Sequence, residues 1–176
     1  MLSFRYGVLT MIVTEHHDGW AIFNTSSTIS RRSTVNYGPK RDFLRELFDA
    51  AKKYQPHLRR GTYFSLPEWY NKAYYNIFPN SAWPGTEPTN PYTSEKVPYT
   101  GYVDHKDFIN EIQAPQMNEL AYEYETEMMW CDISSPSNSS YVLSNWVNWA
   151  KSKGRQVSFN ARCSPGTIHG DYATPE

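Results

Sequence analysis

Apolar residues are grouped along the chain in short continuous runs that are separated by polar segments. The first run, residues 6–13, is rich in β-branched residues and ends where a polar segment begins. Runs of this length, bounded by turn formers, are typical of β-strands. The run that starts at Met128 is continuously apolar, which predicts a strand buried on both faces. The sequence therefore predicts four strands, at residues 6–13, at 60–65, over about four residues from Met128, and at 156–160.

Three longer segments between these strands have a helical period. Residues 41–54 have apolar side chains at helical spacing with Lys and Arg opposite, which predicts an amphipathic helix. Residues 107–124 form a second predicted helix, in which Pro115 is expected to cause a kink. A third helix is predicted over 141–153, because Gly154 follows as a helix terminator. Residues 71–104 lack periodicity and are predicted to form a long loop.

The predicted elements alternate along the chain, beginning and ending with a strand. Alternating strands and helices indicate an α/β fold with a parallel sheet, because such crossovers are long enough to be right-handed. The pattern fits about half of a (β/α)8 barrel, so we expect a partial TIM-like barrel. A four-strand doubly wound sheet is the alternative. No glycine-rich phosphate-binding turn follows any predicted strand, so a nucleotide-binding fold gains no support.

Asp132 lies where the third predicted strand ends and a Ser, Pro and Asn loop begins. Chemistry in parallel α/β folds gathers at the carboxyl ends of strands, which makes this carboxylate a candidate working group. A turn or helix N-cap role is the alternative. If the strands are parallel neighbours, their carboxyl ends bring further polar and aromatic residues to the same rim: His16, His17, Tyr63, Trp130, Asn160 and Arg162.

Composition and charge favour a neutral ligand. The formal net charge is -1, which gives no electrostatic basis for binding nucleic acid or an anionic membrane. Aromatic residues make up 16% of the chain although the mean hydropathy is -0.69, so many rings must lie at partly polar surfaces. Aromatic clefts of this kind suit sugars, whose C–H faces stack on rings, and they also suit protein interfaces.

Several other chemistries are not supported by the sequence. The adjacent His16 and His17 point to opposite sides of an extended chain and lack a third ligand at fixed spacing, so no metal site and no cofactor are predicted. The serine hydrolase motif Gly-x-Ser-x-Gly is absent. Cys131 and Cys163 either pair, if their strands are neighbours, or stay free.

The sequence gives mixed signals about location. Two N-glycosylation acceptor triplets begin at Asn24 and Asn138, and they predict a secreted or extracellular protein. Residues 1–10 lack the features of a signal peptide, and the longest apolar stretch is far short of a membrane span.

An ordered set of motifs identifies a family resemblance. The motifs are Val8-Leu9-Thr10, His16-His17-Asp18-Gly19, Gly38-Pro39-Lys40-Arg41-Asp42, Tyr63-Phe64-Ser65-Leu66-Pro67-Glu68-Trp69, Trp130-Cys131-Asp132, Asn160-Ala161-Arg162 and Gly170-Asp171-Tyr172-Ala173-Thr174-Pro175-Glu176. Together they resemble the α-L-fucosidases of glycoside hydrolase family 29, over essentially the whole chain.

The resemblance implies a retaining exo-glycosidase on a (β/α)8-like barrel, usually followed by a β-sandwich domain. It implies that the chain acts on terminal α-L-fucosyl residues of oligosaccharides or glycoconjugates through a covalent fucosyl-enzyme. Asp132 matches the nucleophile, and Glu176 resembles the acid/base of part of the family. The substrate-binding residues that we carry over from the motifs are His16, His17, Tyr63, Trp69, Trp130 and Arg162.

Three departures from the family pattern affect these expectations. About three extra residues lie near 11–13, and Glu15 replaces a usual Lys, so an irregular strand or a bulge is needed to aim the histidines. The link at 164–167 also differs. Residues 1–176 correspond to an incomplete catalytic domain without the early strands, the last strands or a β-sandwich, so we expect weak or no activity. A non-catalytic fucose-binding or remnant domain is the alternative.

Overall fold

A computed structural model describes residues 9–79, 83–133, 138–163 and 170–174. Four strands form one sheet in the order β1-β2-β3-β4, and each neighbouring pair is parallel. Their bounds are Leu9–Glu15, Arg59–Ser65, Met128–Asp132 and Ser158–Phe159. The two edge strands deviate most from the predicted bounds: β1 runs to Glu15 instead of ending at residue 13, and β4 is only two residues long.

The helices connect successive strands. Helix α1 spans Phe43–Tyr54 and begins at Asp42, whose carboxylate accepts a hydrogen bond from the Arg45 N–H at 2.9 Å. Helix α2, Lys72–Ile77, lies within the segment that was predicted to be a loop, and this prediction was wrong. Helix α4 spans Ser139–Ser152. The helical segment between α2 and β3 contains α3, Ala114–Asn118, flanked by π-helical turns at Ile109–Gln113 and Glu119–Glu123.

Pro115 explains the first of these π-helical turns. Proline has no N–H to donate to the carbonyl four residues earlier, and its ring crowds that carbonyl. Residues 109–113 widen into π geometry immediately before it, which accommodates the missing bond within a continuous helical segment. The expected perturbation at Pro115 is therefore a widened turn.

The hydrophobic core lies between one face of the sheet and the helices. The sheet contributes Phe64, Met129, Cys131 and Phe159, whose strand register places them on the same face. Helix α1, the 109–123 segment and α4 cover this face with Leu44, Phe48, Met117, Leu120, Leu143 and Trp146. A doubly wound sheet has helices on both faces and a reversal in strand order, so the sequential order and one-sided cover identify a barrel-type unit.

The opposite, concave face of the sheet is much more open. Met129 and Cys131 in β3 are completely buried, whereas the residues that alternate with them, Met128, Trp130 and Asp132, are half-buried. Val13 of β1, on the concave side, is 51% exposed. The expectation that β3 is buried on both faces was therefore wrong. Its apolar residues serve two different surfaces, a helix-covered core and the concave face.

Cys131 and Cys163 form a disulfide, with their Cα atoms 4.7 Å apart. The sequence left pairing and free thiols as alternatives, and the parallel neighbours β3 and β4 bring the two residues together. Both cysteines are completely buried on the helix-facing side of the sheet. The bond joins the end of β3 to the 3-10 turn Ala161–Cys163 that follows β4.

Candidate active site

Asp132 is the last residue of β3, and its side chain lies on the concave face. Register in the parallel sheet pairs Ser65 with Asp132 and Tyr63 with Trp130, so these four side chains share that face. The carboxylate thus lies at the carboxyl ends of the strands, where sites occur in barrel proteins. The N-cap role considered for Asp132 is not what the structure shows, because helix α4 begins at Ser139 with Asn138 as its N-cap. The turn that was the other alternative falls on residues 134–137, which lie outside the described residues.

Three donors bind the Asp132 carboxylate. The Tyr63 hydroxyl donates to Oδ2 at 2.6 Å, whereas the Ile133 N–H and the Arg162 guanidinium donate to Oδ1 at 2.9 and 2.5 Å. Partial burial alone would raise the pKa of Asp132. The hydrogen bonds from Tyr63, Ile133 and Arg162, together with the positive charge of Arg162, outweigh burial and hold the pKa below its ordinary value. Asp132 is therefore ionised at neutral pH.

Arg162 reaches Asp132 from the 3-10 turn after β4. The two side chains are about equally exposed, at 20% and 21%, so water reaches the ion pair from the concave side. The Tyr63 hydrogen bond is the largest single interaction that lowers the pKa of Asp132, and Arg162 lowers it through both a hydrogen bond and its charge.

His17 is a neutral acceptor beside the carboxylate. Its Nδ1 lies 3.2 Å from the Pro67 carbonyl oxygen, and since a carbonyl only accepts, Nδ1 carries the hydrogen. Burial lowers the pKa of His17, and the neighbouring His16 lowers it further. The other ring nitrogen, Nε2, lies 4.0 Å from Asp132 Oδ2. Two acceptors this close together present a place for a hydroxyl donor from a ligand.

Aromatic rings hold the two histidines in place. The exposed His16 stacks on Tyr63, with ring centres 5.7 Å apart and planes 7° apart. His17 stacks on Trp69 at 4.8 Å, and Trp69 in turn stacks on Trp83 at 4.5 Å. His17 and Trp83 are themselves 6.4 Å apart with planes 14° apart, so the three rings form one aromatic cluster. Trp83 belongs to the predicted loop 71–104, and its role in this stack was not predicted.

Trp130 lies next to Tyr63 on the concave face, with ring centres 6.2 Å apart and planes tilted by 55°. Its indole nitrogen is buried and has no hydrogen-bond partner among the residues that the structure describes. The ring therefore presents an apolar surface beside Asp132, which suits the C–H face of a sugar. Its placement is compatible with the predicted ring contact.

A layer of buried charged groups lies beneath the histidines. Glu15 is 1% exposed and Glu68 is 4% exposed. The Asn71 amide and the Tyr99 hydroxyl donate to Glu68 Oε2 at 2.8 and 3.0 Å, whereas neither carboxyl oxygen of Glu15 has a well-formed hydrogen bond from any described residue. Burial raises the pKa of both carboxyls. The sequence indicated Glu15 only as a departure from the family pattern, although an acid directly before a His pair at a strand end was an available signal.

The guanidinium of Arg32 completes this layer. It lies 3.7 Å above the Tyr99 ring and donates to the backbone carbonyls of Asp18 and Thr100. Its hydrogen bonds thus go to carbonyl oxygens, and it lowers the pKa values of the two glutamates only through its charge. Arg32 is mostly buried, and its role was not predicted, because a single Arg in a polar loop carries no pattern.

The predicted site residues divide into three groups. His16, His17, Tyr63, Trp69, Trp130, Asp132 and Arg162 lie together at the carboxyl ends of the strands. Asn160 was wrongly placed at the rim, because its buried side-chain amide binds the backbone of Cys131. Glu176 lies outside the described residues.

Neither a metal site nor a membrane-spanning helix occurs in those parts of the chain that the structure describes. No group of three or more His, Cys, Asp or Glu residues there could hold a metal ion. Among the same residues, no helix has the length and apolar character needed to cross a membrane.

The two oxygens of the Asp132 carboxylate have different surroundings. Each carboxylate oxygen has two lone pairs, and Oδ1 of Asp132 uses both on Arg162 and Ile133. Oδ2 accepts from the Tyr63 hydroxyl and lies 4.0 Å from His17 Nε2 on the concave face. Fold and site define a (β/α)8-barrel protein whose polar site lies at the strand ends, of which this chain carries four parallel strands.

Comparison with known proteins identifies the family. A family model described as α-L-fucosidase matches residues 5–176, and the chain belongs to this family. An α-L-fucosidase of Dictyostelium discoideum is 28% identical over 82% of this chain and 26% of its own length. The human plasma α-L-fucosidase is 25% identical over 97% of this chain and 32% of its own. The chain thus spans about a third or less of these relatives.

Solved structures of fucosidases have the same fold. The Thermotoga maritima α-fucosidase in complex with fucose superposes with a TM-score of 0.64 at 22% identity, over 95% of this chain and 34% of that chain. The α-L-fucosidase AlfC from Lactobacillus casei, in complex with its α-L-fucose product, gives 0.56 at 20% identity, over 89% and 47%. The predicted partial (β/α)8 barrel is therefore confirmed.

Proposed function

We propose that this chain carries the nucleophile half of an α-L-fucosidase site, with Asp132 attacking the anomeric carbon of a terminal α-L-fucosyl residue. The observation that carries the proposal is the ionised Asp132 at the end of β3, held by Tyr63, Ile133 and Arg162 with Oδ2 directed to the concave face. Family membership and neighbours solved with fucose support this substrate class.

In the proposed reaction, Oδ2 of Asp132 forms a bond to the anomeric carbon as the bond to the leaving oxygen breaks. The leaving oxygen takes a proton from an acid, for which we propose Glu176. Water then attacks the fucosyl-enzyme, and the same acid, now ionised, accepts the proton of that water, so configuration is retained. Oδ2 is the better candidate than Oδ1 because Oδ1 already accepts from two donors.

Recognition of the sugar is proposed to use both faces of its ring. The neutral Nε2 of His17 can accept from a hydroxyl that lies between it and Asp132, where the two acceptor atoms are 4.0 Å apart. Trp130 offers an apolar surface for the C–H face, next to Tyr63. His16 is exposed beside this surface and can contact a second hydroxyl.

The rate of turnover by this chain is proposed to be low. Glycosidase sites gain much of their effect by excluding water from the reacting groups. Here the concave face is open, with Val13 51% exposed and the Asp132 side chain 21% exposed. If the chain does not hydrolyse fucosides, the open concave face would favour binding of the sugar without turnover.

Covalent trapping tests the proposal without depending on turnover. A 2-fluoro fucosyl fluoride forms a stable ester with a retaining nucleophile, so intact mass should rise by one fluorofucosyl group and peptide mapping should place it on Asp132. Asp132→Asn should not be labelled, and Asp49→Asn, an exposed carboxylate on α1, should label like the wild type. Labelling of Asp132→Asn at the wild-type rate would refute the assignment.

Turnover provides the second test. Release of nitrophenol from 4-nitrophenyl α-L-fucoside should be lost in Asp132→Gly and partly restored by azide, with azide taking the place of the missing carboxylate. Glu176→Gln should slow hydrolysis of a fucoside with a poor leaving group far more than hydrolysis of fucosyl fluoride, because fluoride needs little protonation to leave. Equal slowing of both substrates would remove Glu176 from the acid role.

A further inference from the structure

Each residue of the Asp132–Arg162 ion pair is adjacent in sequence to one cysteine of the disulfide. Cys131 directly precedes Asp132 in β3, and Cys163 directly follows Arg162 in the 3-10 turn. The disulfide lies in the helix-facing core, whereas the ion pair lies on the concave side of the same two segments. The covalent bond therefore fixes the distance between the two backbone positions that carry the pair.

Asn160 provides a second link between the same segments. Its side-chain Oδ1 accepts from the Cys131 N–H at 2.9 Å, and its Nδ2 donates to the Cys131 carbonyl at 2.9 Å. The same Nδ2 also donates to Thr174 Oγ1 at 2.8 Å. Backbone pairing between β3 and β4 ends at Phe159. The side-chain amide of Asn160 therefore bonds to the Cys131 backbone where the next residue of β4 would otherwise pair. The side chain is completely buried.

These links are needed because β4 itself gives little support. The strand has two residues, and only Ser158 and Phe159 are in register with β3. A long Arg side chain loses considerable conformational entropy when it is held in one geometry. Fixing the backbone of the turn at the two ends of Ala161–Cys163 reduces the freedom that Arg162 must lose when it binds Asp132.

We propose that Asn160 and the Cys131–Cys163 disulfide are positioning elements of the catalytic site, which hold Arg162 against Asp132. The inference rests on the proposed role of Asp132, and neither cysteine nor Asn160 contacts the substrate in it. The lowered pKa of Asp132, to which Arg162 contributes by hydrogen bonding and charge, provides a readout that a merely structural disulfide would not affect.

The test is a carboxyl-carbon NMR titration of Asp132 in the full chain. We compare the wild type, the double variant Cys131→Ala with Cys163→Ala, Arg162→Ala, and the triple variant. Removing the disulfide should raise the pKa of Asp132, and Arg162→Ala should raise it as well. In the triple variant, the two effects should not add, because the disulfide acts through Arg162. Leu143→Ala, a core truncation in α4, is the matched control and should leave this pKa unchanged.

Two results would overturn the positioning role. One is an unchanged pKa of Asp132 in a folded chain without the disulfide, and the other is full additivity with Arg162→Ala. If the cysteine variant does not fold, Asn160→Ala with the disulfide intact decides instead, and the same rise in pKa is expected. Because titration needs no turnover, a wild type that fails to hydrolyse fucosides would count against the proposed function alone. In an active chain, kcat/KM should fall about tenfold without the disulfide.

Discussion

Glu15→Gln should make the chain more stable at neutral pH, and the gain should grow as the pH rises. Glu15 is 1% exposed, and no residue that the structure describes makes a well-formed hydrogen bond to either of its carboxyl oxygens. The Gly19 N–H donates to the His16 carbonyl at 2.8 Å, and it also lowers the pKa of Glu15. Burial raises the pKa of Glu15 well above its ordinary value, and the carboxylates of Glu68 and Asp18 raise it further, against a smaller effect of Arg32.

The direction of the pH dependence follows from proton binding. A carboxyl whose pKa is higher in the folded state keeps its proton after the unfolded chain has lost it. Its stabilising contribution is complete below the unfolded pKa, near 4.3 on model peptides, and is lost as the pH rises towards the raised folded pKa. Glutamine has almost the same shape and no charge, so Glu15→Gln removes this loss.

The magnitude of the effect follows from one proton. While Glu15 is protonated only in the folded state, wild-type stability falls by about 1.4 kcal/mol per pH unit relative to Glu15→Gln. For a chain of this size, that corresponds to about 3–5 °C in Tm per pH unit. The difference should be close to zero at pH 4, where both states bind the proton, and should reach a plateau above the folded pKa.

Thermal unfolding followed by circular dichroism between pH 4 and 8 measures this difference. Glu95→Gln, an exposed carboxylate in the loop after α2, is the matched control and should follow the wild type throughout. Glu68→Gln should give a smaller gain, because Asn71 and Tyr99 already donate to the Glu68 carboxylate. Parallel curves for the wild type and Glu15→Gln from pH 5 to 7 would refute the reasoning.

Two further predictions concern the site and the core. Tyr63→Phe removes the 2.6 Å hydrogen bond to Asp132, so the pKa of Asp132 should rise and the acidic limb of a fucosidase pH profile should move to higher pH; an unmoved limb would contradict this. Trp146→Ala should lower the unfolding free energy by about 3–5 kcal/mol in urea, because the ring is completely buried, whereas Tyr92→Ala, at a ring that is 94% exposed, should change it little.

The general architecture could be predicted because it depends on patterns with a strong physical basis. Alternating strands and amphipathic helices specify parallel pairing, and parallel pairing brings all carboxyl ends to one edge. That step alone placed Asp132, Arg162 and the histidines together, as the structure has them. Helix α1 was predicted almost to its bounds, since Leu44, Phe48 and Ala51 repeat at helical spacing on its buried side.

The parts that could not be predicted depend on short elements and tertiary contacts. Helix α2 has six residues, too few for a periodic face, and its only local signal was the Asn71 cap, which accepts from the Ala73 N–H. The orientation of Asn160 depends on where β4 stops pairing with β3, which no sequence pattern records. The burial of Glu68 and Arg32 depends on the loop residues Tyr99 and Thr100, which are distant in sequence.

The β1 irregularity connects the unusual Glu15 to the site. Val13 pairs with Tyr63 and Glu15 pairs with Phe64, so Thr14 is an extra residue that forms a β-bulge. Its hydroxyl donates to the Tyr63 carbonyl at 2.6 Å, which satisfies a group that the disrupted ladder would leave open.

Without the bulge, Glu15 would be in register with Ser65, the partner of Asp132, and a second carboxylate would lie on the concave face two strands from Asp132. A like charge on the same face disfavours the ionised form of a carboxyl and so raises its pKa. The bulge instead turns Glu15 into the buried layer and lets His16 and His17 reach Tyr63 and Asp132. The bulged register of β1 thus keeps the concave face free for one ionised carboxylate. Its consequence is that Glu15 is buried without a well-formed hydrogen bond from any described residue, which lowers the stability of the fold.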